Sequence, residues 1–339
     1  MATSITATNK SPLIAIVAWL LLALATFSYV IRFVVKLSHR SLSFESDDSL
    51  MTGSLLFCIA QSVATIVRAD HGFGKPLGDV LPEKINASLK AEMAANVFYI
   101  LSVLLARLSL LSLITKLTPN RQHQFVSFAL GGLIIVWSII SVFAAALECR
   151  LPNSWDYTRE KCINRIAWWI VSDIVNILAE TVLIMTPVYI ICIVQWTVSK
   201  KILFSIPFIV RICTIAAYVV DIIIWKNFVG PSPDPFFAEW QVSVTTQVIQ
   251  CSCLCSTCVL YLKSFLKSVE TGFGLDYDLR SSGLELTASN LSSEVLTQSA
   301  PMPKQSKGST KGRIFGGRAP RFGSVSITIT IIASGLDLP

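Results

Sequence analysis

The sequence predicts an all-α membrane protein: a seven-transmembrane-helix bundle followed by a disordered C-terminal tail. Two observations lead to this prediction. The chain of 339 residues is 53% hydrophobic and only 14% charged, whereas a soluble domain is about one quarter charged. It also contains seven apolar stretches of the length that crosses a bilayer, about 20 residues at 1.5 Å per residue. Because lipid offers the backbone no hydrogen-bond partners, each stretch must be a helix.

The seven predicted spans differ in charge. Span 1 begins like a signal-peptide core, but its apolar run continues to Val35, a length that favours a retained span over a cleaved segment. Spans 2, 4 and 7 carry no charged residue and span 1 carries only Arg32, whereas spans 3, 5 and 6 carry charges in their interiors. In chain order the spans are Leu13–Val35, Ser49–Val67, Met93–Leu117, Phe125–Leu147, Ile166–Val194, Ile202–Trp225 and Trp240–Leu262.

We expect three regions along the chain. They are a short extracellular N-terminus over 1–12, the seven-transmembrane domain over 13–266 and a disordered cytoplasmic tail over 267–339, whose Ser, Thr and Gly content gives too little apolar density to fold alone. The formal charge of +7 could suggest a nucleic-acid partner. Much of this excess lies in the tail, so we predict no nucleic acid and favour the lipid bilayer as the partner surface.

The predicted orientation places the N-terminus outside and the C-terminus in the cytoplasm. Raw counts of Lys and Arg do not favour it, but the short inner loops carry the denser positive charge near the span ends. Cys149 and Cys162 flank the loop after span 4, where an oxidising outer face would join them in a disulfide. Asn86 begins a possible glycosylation sequon on the same face. The plasma membrane is the expected location.

Span 5 has an ordered polar stripe. Asp173, Asn176 and Glu180 follow spacings of three and four residues, so they share one helix face. A charged residue at mid-bilayer costs about 2.5–3.5 kcal/mol on insertion scales, so this face should point into the bundle. Two interpretations remain open: a ligand pocket or ion relay, and a structural network in which Arg107 or Arg211 pairs with the acids.

The positions of Asp221 near the end of span 6 and of Arg107 in the inner half of span 3 allow a simpler interpretation of these two charges. Arg211 and Asp221 lie ten residues apart in span 6, about 15 Å along a helix axis, so they cannot pair with each other. Asp221 is then expected to reach the outer interface, and Arg107 the inner one. The tryptophans at span ends are expected to anchor the bundle at the headgroup level. They are Trp168, Trp169, Trp196, Trp225 and Trp240.

The sequence predicts neither a metal site nor an enzyme. Cys251, Cys253, Cys255 and Cys258 crowd span 7, but no histidine lies near them in sequence, so close helix packing is favoured over metal binding. No protease, P-loop, hydrolase or dinucleotide motif occurs in context. Span 7 has no lysine before Lys263, whereas a retinal Schiff base needs a lysine amine inside the bundle. We therefore expect no cofactor.

Several short motifs follow one another along the chain: Arg32, Asp47-Asp48, His71-Gly72-Phe73-Gly74, Cys149 and Cys162 around Trp155, Asn176, Glu180, Pro187 and the segment from Cys258 to Leu266. Together they resemble the fungal rhodopsin domain family of seven-transmembrane integral membrane proteins, which is similar to receptor-like proteins linked to plant pathogenicity. Glu180 stands where this family usually has Asp, and Leu260 and Ser264 stand where prolines are common. We expect no Cys-rich extracellular domain before span 1.

The resemblance implies a rhodopsin-like helix bundle without light chemistry. Our first hypothesis is receptor-like sensing of an unknown ligand that binds near Asp173, Asn176, Glu180, Arg107 and Arg211, with a heterotrimeric G protein as partner. The alternative is a transporter or ion-coupled carrier that uses the span 5 acids.

Overall fold

The computed structural model describes residues 6, 8–38, 46–117, 121–150, 152–157, 162–193 and 198–261, except for the side chains of 38, 117, 122–123, 187, 189–193 and 198–210. Within these ranges, seven helices are long and apolar enough to cross a membrane, which confirms the predicted fold class. The predicted tail over 267–339 lies outside the described residues, as does Trp196. The region boundaries at 12 and 266 stay predictions.

Most of the helices extend beyond the predicted apolar spans. α3 begins eleven residues before Met93, with Pro82 in its first turn, where a proline loses no hydrogen bond. The α6 helix continues as one π turn, Trp225–Val229. The bounds are α1 Ser11–Ser38, α2 Ser46–Asp70, α3 Pro82–Leu117, α4 Arg121–Ala146, α5 Arg165–Ile193, α6 Val198–Ile224 and α7 Pro235–Tyr261.

The apolar core lies where α1, α2, α3, α6 and α7 meet. Small residues such as Ala25 and Ala106 are completely buried there, and they let the helices approach closely. Met51, Tyr218 and Leu254 fill the space between them. Large apolar side chains on α1 and α4 remain exposed at the surface, as lipid-facing side chains would be. The cysteines Cys251, Cys253 and Cys258 are also buried in this core.

The two ends of the bundle differ in their polar contacts. We call the end that carries the Cys149–Cys162 disulfide the disulfide end, and the other end the Asp47 end. At the Asp47 end, Arg32 Nη2 donates to Asp47 Oδ2 at 3.0 Å and to Asp48 Oδ1 at 3.3 Å. The Lys116 ammonium also pairs with Asp47. The resemblance residues Arg32, Asp47 and Asp48 thus join α1, α2 and α3.

The His71-Gly72-Phe73-Gly74 motif forms the turn that follows α2 at the disulfide end. Gly72 and Gly74 have φ angles of 97° and 87°, a region that only glycine enters at little cost. A Cβ at Gly74 would lie 2.8 Å from the backbone nitrogen of Ser11. The Ser11 hydroxyl donates to the Phe73 carbonyl. The turn therefore holds the start of α1 against the connection between α2 and α3.

Candidate functional site

Three layers of buried polar side chains cross the bundle between its ends. We name them the glutamate cluster (Arg68, Glu92, Glu148, Arg165 and Glu239), the aspartate pair (Asp173 and Asp221) and the arginine–glutamate network (Arg107, Asn176, Glu180, Arg211 and Tyr218). Arg165, Asp173 and Glu180 follow one another on α5 at separations of eight and seven residues, about 12 and 10 Å along the helix axis. One helix therefore contributes to every layer.

The arginine–glutamate network joins α3, α5 and α6. Arg107 Nε donates to Glu180 Oε1 at 2.9 Å, and the Arg211 guanidinium pairs with Glu180 Oε2. Glu180 and Arg211 are both fully buried, at 0% exposure. Each carboxylate oxygen thus meets its own arginine, which is the arrangement that a buried carboxylate requires.

Three further donors of the two arginines bind neutral side chains, whereas Arg211 Nε is buried and meets no acceptor among the described residues. Arg107 Nη1 donates to Asn176 Oδ1 at 2.7 Å and Arg107 Nη2 to the Tyr218 hydroxyl at 3.2 Å. Arg211 Nη2 donates to Thr257 Oγ1 at 3.2 Å, which adds α7 to the network. The structure thus brings together four of the five predicted ligand residues, Arg107, Asn176, Glu180 and Arg211, and the expectation that Arg107 reaches the inner interface is wrong.

The aspartate pair lies between the other two layers. Asp173 is 5% exposed and Asp221 is 4% exposed, and the two carboxyl groups are neighbours in the wall of one cavity. The Thr245 hydroxyl donates to Asp221 Oδ1. Asp173 Oδ2 is buried and meets no donor among the residues that the structure describes. The expectation that Asp221 reaches the outer interface is therefore wrong, because its carboxyl faces Asp173 inside the bundle.

The glutamate cluster closes the bundle at the disulfide end. Arg165 contacts three carboxylates: Nη2 lies 2.7 Å from Glu92 Oε1, Nη1 lies 2.9 Å from Glu239 Oε1, and Nε lies 2.9 Å from Glu148 Oε2. Arg68 Nη2 bridges Glu92 at 2.6 Å and Glu239 at 3.1 Å. The cluster therefore connects α2, α3, α5, α7 and the loop that begins at Glu148.

The disulfide loop contributes aromatic cover to this cluster. The predicted Cys149–Cys162 disulfide is present. The Tyr157 hydroxyl donates to Glu239 Oε2 at 3.2 Å, and its ring lies 3.7 Å from the Arg165 guanidinium carbon. Burial raises the pKa of the Tyr157 phenol well above its ordinary value. Burial also raises the pKa of the Glu148 carboxyl, which outweighs the opposing effect of Arg165.

A cavity extends from the glutamate cluster to the aspartate pair. It has about 590 Å³ of empty space, including the part open to the surroundings. A second cavity, with about 380 Å³ of empty space including the part open to the surroundings, shares Tyr99, Trp169 and Asp173 with the first and reaches Arg107 and Asn176. The first cavity is lined by Gln61, Thr65, Arg68, Glu92, Ala95, Asn96, Tyr99, Arg165, Trp169, Asp173, Asp221, Trp225, Glu239, Val242, Ser243 and Thr246.

Two tryptophans that the sequence assigned to the headgroup level lie inside the bundle instead. Trp169 and Trp225 are buried, their rings are nearly parallel at 5°, and the ring centroids lie 6.3 Å apart. Trp169 Nε1 donates to Glu148 Oε1 at 3.2 Å. Both rings line the first cavity. The anchoring interpretation is therefore wrong for these two residues, because the two rings stack on each other inside the bundle and Trp169 also binds Glu148.

Asn86 lies on α3 near its start at the disulfide end. Its side chain is exposed, and its Oδ1 accepts a hydrogen bond of 2.7 Å from Trp155 Nε1. The possible glycosylation of Asn86 stays a prediction. Within the described residues, no group of three or more His, Cys, Asp or Glu side chains has the arrangement of a metal site.

Sequence reasoning missed the glutamate cluster, because its members were assigned to loop ends. Arg68, Glu92, Arg165 and Glu239 each adjoin a predicted span, and all four fall at one end of the bundle. Two arginines and two glutamates at the same membrane face were the available signal, since opposite charges next to spans can pair inside a bundle. The π turn at the end of α6 left no comparable signal.

The fold and these layers define a class of protein: a multi-pass integral membrane protein of seven helices with a buried, charge-paired interior. The family model described as the fungal rhodopsin domain matches residues 31–268. The chain belongs to this family, which confirms the resemblance found in its motifs. No curated protein matches the chain.

Proposed function

We propose that this protein is a receptor-like sensor of a small molecule, without retinal and without enzymatic activity, and that its ligand binds in the first cavity. One observation carries the proposal: a cavity lined by charged and aromatic side chains lies against Asp173, whose buried Oδ2 meets no donor among the described residues. Pockets lined by aromatic rings with a few converging polar groups are typical of small-molecule sites.

The arginine–glutamate network supports a structural role more than a binding role. Both oxygens of Glu180 already bind arginine. A ligand that bound Glu180 or Arg211 would first have to break a fully buried ion pair. A ligand that bound Asp173 would break no ion pair, and Asn176 lines the second cavity together with Asp173. Among the predicted ligand residues, we therefore assign direct contact to Asp173 and Asn176 and support of the site to the other three.

A carrier that uses the same acids is the second candidate. Asp173 lines both cavities, which favours a path for an ion or proton along α5. The completed ion pairs of Glu180 lie between this path and the Asp47 end, which favours a sensor that binds from one side. Purified protein in liposomes distinguishes the two, because a proton or substrate flux that stops in an Asp173→Asn variant would favour the carrier.

Filling the first cavity should weaken ligand binding. Ser243 is buried on α7 and lines the cavity, so Ser243→Phe places a ring where a ligand would lie. We expect a compound selected by binding to purified wild-type protein to lose at least about tenfold in affinity, since its contacts in the cavity are replaced by the ring. Titration calorimetry in lipid nanodiscs measures the change.

Val248→Phe is the matched control for this substitution. Val248 lies on the same helix but is exposed on its outer surface, so the added ring leaves the cavity unchanged. Equal affinity in the wild type and both variants would place the ligand elsewhere. If a broad small-molecule library gives no compound that binds the wild type, the sensor function itself fails.

We further propose that the disulfide end faces the cell exterior at the plasma membrane, so that the N-terminus is outside and the C-terminus is cytoplasmic. The Cys149–Cys162 disulfide supports this orientation, because disulfides persist on the oxidising side of a membrane. The Asp47 end would then face a heterotrimeric G protein. Ligand-stimulated nucleotide exchange, measured with purified G protein, tests that partner.

Labelling of intact cells should reveal this orientation. An impermeant maleimide is expected to label Cys149 and Cys162 only after treatment with an impermeant reductant. A Cys149→Ser, Cys162→Ser double variant should show no such gain in labelling and is the control for the other cysteines. Labelling that appears only after the cells are permeabilised would place the disulfide end inside and contradict the proposed orientation.

A further inference from the structure

Resting on the proposed sensor function, we infer that the ligand of the first cavity is a small protonated amine whose ammonium group binds Asp173. The first support is the charge of the cavity wall. Four carboxyl groups line it, those of Glu92, Asp173, Asp221 and Glu239, against two guanidinium groups, those of Arg68 and Arg165. An acidic wall in a low-dielectric site attracts a cation.

The aspartate pair needs a positive charge that its neighbours do not supply. Two neighbouring carboxylates in a buried cavity wall repel each other, and this repulsion falls when a proton or a cation binds to one of them. With one bound proton, the pair still carries one negative charge inside the membrane. An ammonium group at Asp173 would neutralise that charge while Asp221 keeps the proton and the hydrogen bond from Thr245.

The arginines nearest the pair are engaged with other acids. Arg165 contacts Glu92, Glu148 and Glu239, and Arg68 contacts Glu92 and Glu239. On the other side, Arg107 binds Glu180. Asp173 Oδ2 meets no donor in the described part of the chain and is more than nine-tenths buried. Among the residues that the structure describes, it is therefore the fully buried acceptor in the cavity wall that lacks a donor.

The aromatic lining selects an organic cation over an inorganic one. Tyr99 on α3, Trp169 on α5 and Trp225 in the π turn after α6 line the same cavity as the aspartate pair. Trp169 and Trp225 each lie one helical turn from an aspartate of the pair. Aromatic faces attract ammonium groups and also cover the carbon chain that an amine carries. A bare metal ion would gain nothing from that apolar cover.

Three probes test the inference on the full-length protein in lipid nanodiscs: propylammonium chloride, 1-propanol as its neutral isostere, and sodium chloride. We expect propylammonium to bind in titration calorimetry and to raise the unfolding temperature, whereas 1-propanol does neither. Asp173→Asn should weaken propylammonium binding by at least about tenfold, the effect of losing one hydrogen bond to a charged group.

Glu83→Gln is the matched control, because Glu83 is an exposed carboxyl near the start of α3 and lies outside both cavities. It should bind propylammonium as the wild type does. If Asp173→Asn does not fold, Asp221→Asn and the comparison of the three probes on the wild type still decide the result.

Four outcomes overturn the inference. They are unchanged propylammonium binding in a folded Asp173→Asn variant, equal binding of 1-propanol, no binding of propylammonium, and sodium binding that depends on Asp173 in its place. These outcomes do not by themselves contradict the proposed sensor function, which a different result tests. If neutral compounds bind the wild type and are lost in Ser243→Phe, the cavity is a ligand site and only the cationic ligand class is wrong.

Discussion

Glu180→Gln is expected to lower the free energy of unfolding by roughly 3–5 kcal/mol, the cost of breaking a buried ion pair by removing one partner. Arg107 and Arg211 would lose their shared counter-ion, and both guanidinium groups are buried. A neutral amide can accept hydrogen bonds but cannot offset two positive charges. The measurement is the thermal unfolding of purified protein in detergent, together with the yield of folded protein.

Two further substitutions on α5 separate the effect of the negative charge on stability from the effect of side-chain length. Glu180→Asp keeps the negative charge but shortens the side chain by one methylene, so it should retain part of the stability that Glu180→Gln loses. Thr181→Val is the control, because Thr181 is adjacent but exposed and its hydroxyl only donates back to the Ile177 carbonyl. A Glu180→Gln variant that unfolds at the wild-type temperature would show that the network contributes little to stability.

Arg165→Met should have the second large effect, again roughly 3–5 kcal/mol at neutral pH. Three glutamates lose a common cation, since Arg165 pairs with Glu92, Glu148 and Glu239. Methionine fills similar space, so the loss reports charge more than packing. The loss of stability should also depend on pH, whereas a loss caused only by a packing cavity would not.

The direction of that dependence follows from Glu148. Burial already raises its pKa above the ordinary value of 4.5, so its protonated form favours the folded state and its contribution falls as pH rises through the folded-state pKa. Without Arg165 this pKa rises further. The difference in unfolding temperature between wild type and Arg165→Met should therefore be small near pH 4.5 and grow towards pH 8.

Arg150→Met provides the matched control for this series. Arg150 is an exposed arginine beside the disulfide, so its removal changes the net charge of the loop without reaching the glutamate cluster. Its unfolding temperature should follow that of the wild type across the pH range. A difference for Arg165→Met that stays constant from pH 4.5 to pH 8 would contradict the charge-based explanation.

The polar stripe on α5 shows how far sequence reasoning reached. The spacing of Asp173, Asn176 and Glu180 fixes their common face in any helix, and the cost of charge in lipid directs that face inward. Partner choice depends on which helices lie opposite, and this is a tertiary property. The sequence offered Arg107 or Arg211 as partners of the acids; in the structure, Glu180 binds both.

The charged span ends show where the same reasoning stopped. The predicted apolar spans 2 and 3 stop next to Arg68 and Glu92, so both residues were placed in a loop although both lie within helices. Judged from the sequence alone, a charged residue is assigned to water. Its burial becomes favourable only with a partner, and the fold determines that partner. Asp221 was assigned to the interface for the same reason, because its neighbour Asp173 lies 48 positions earlier in the chain.

The three polar layers together restrict how α5 can move. A shift of α5 by one helical turn, about 5.4 Å, would take Arg165, Asp173 and Glu180 away from their partners at the same moment. Small translations of α5 along its axis are therefore costly. The helix has few axial positions in which Arg165, Asp173 and Glu180 all meet their partners. The matched charges therefore allow α5 only a few discrete axial positions. A signal that passes along this helix would be a step between such positions or a tilt of the rigid bundle.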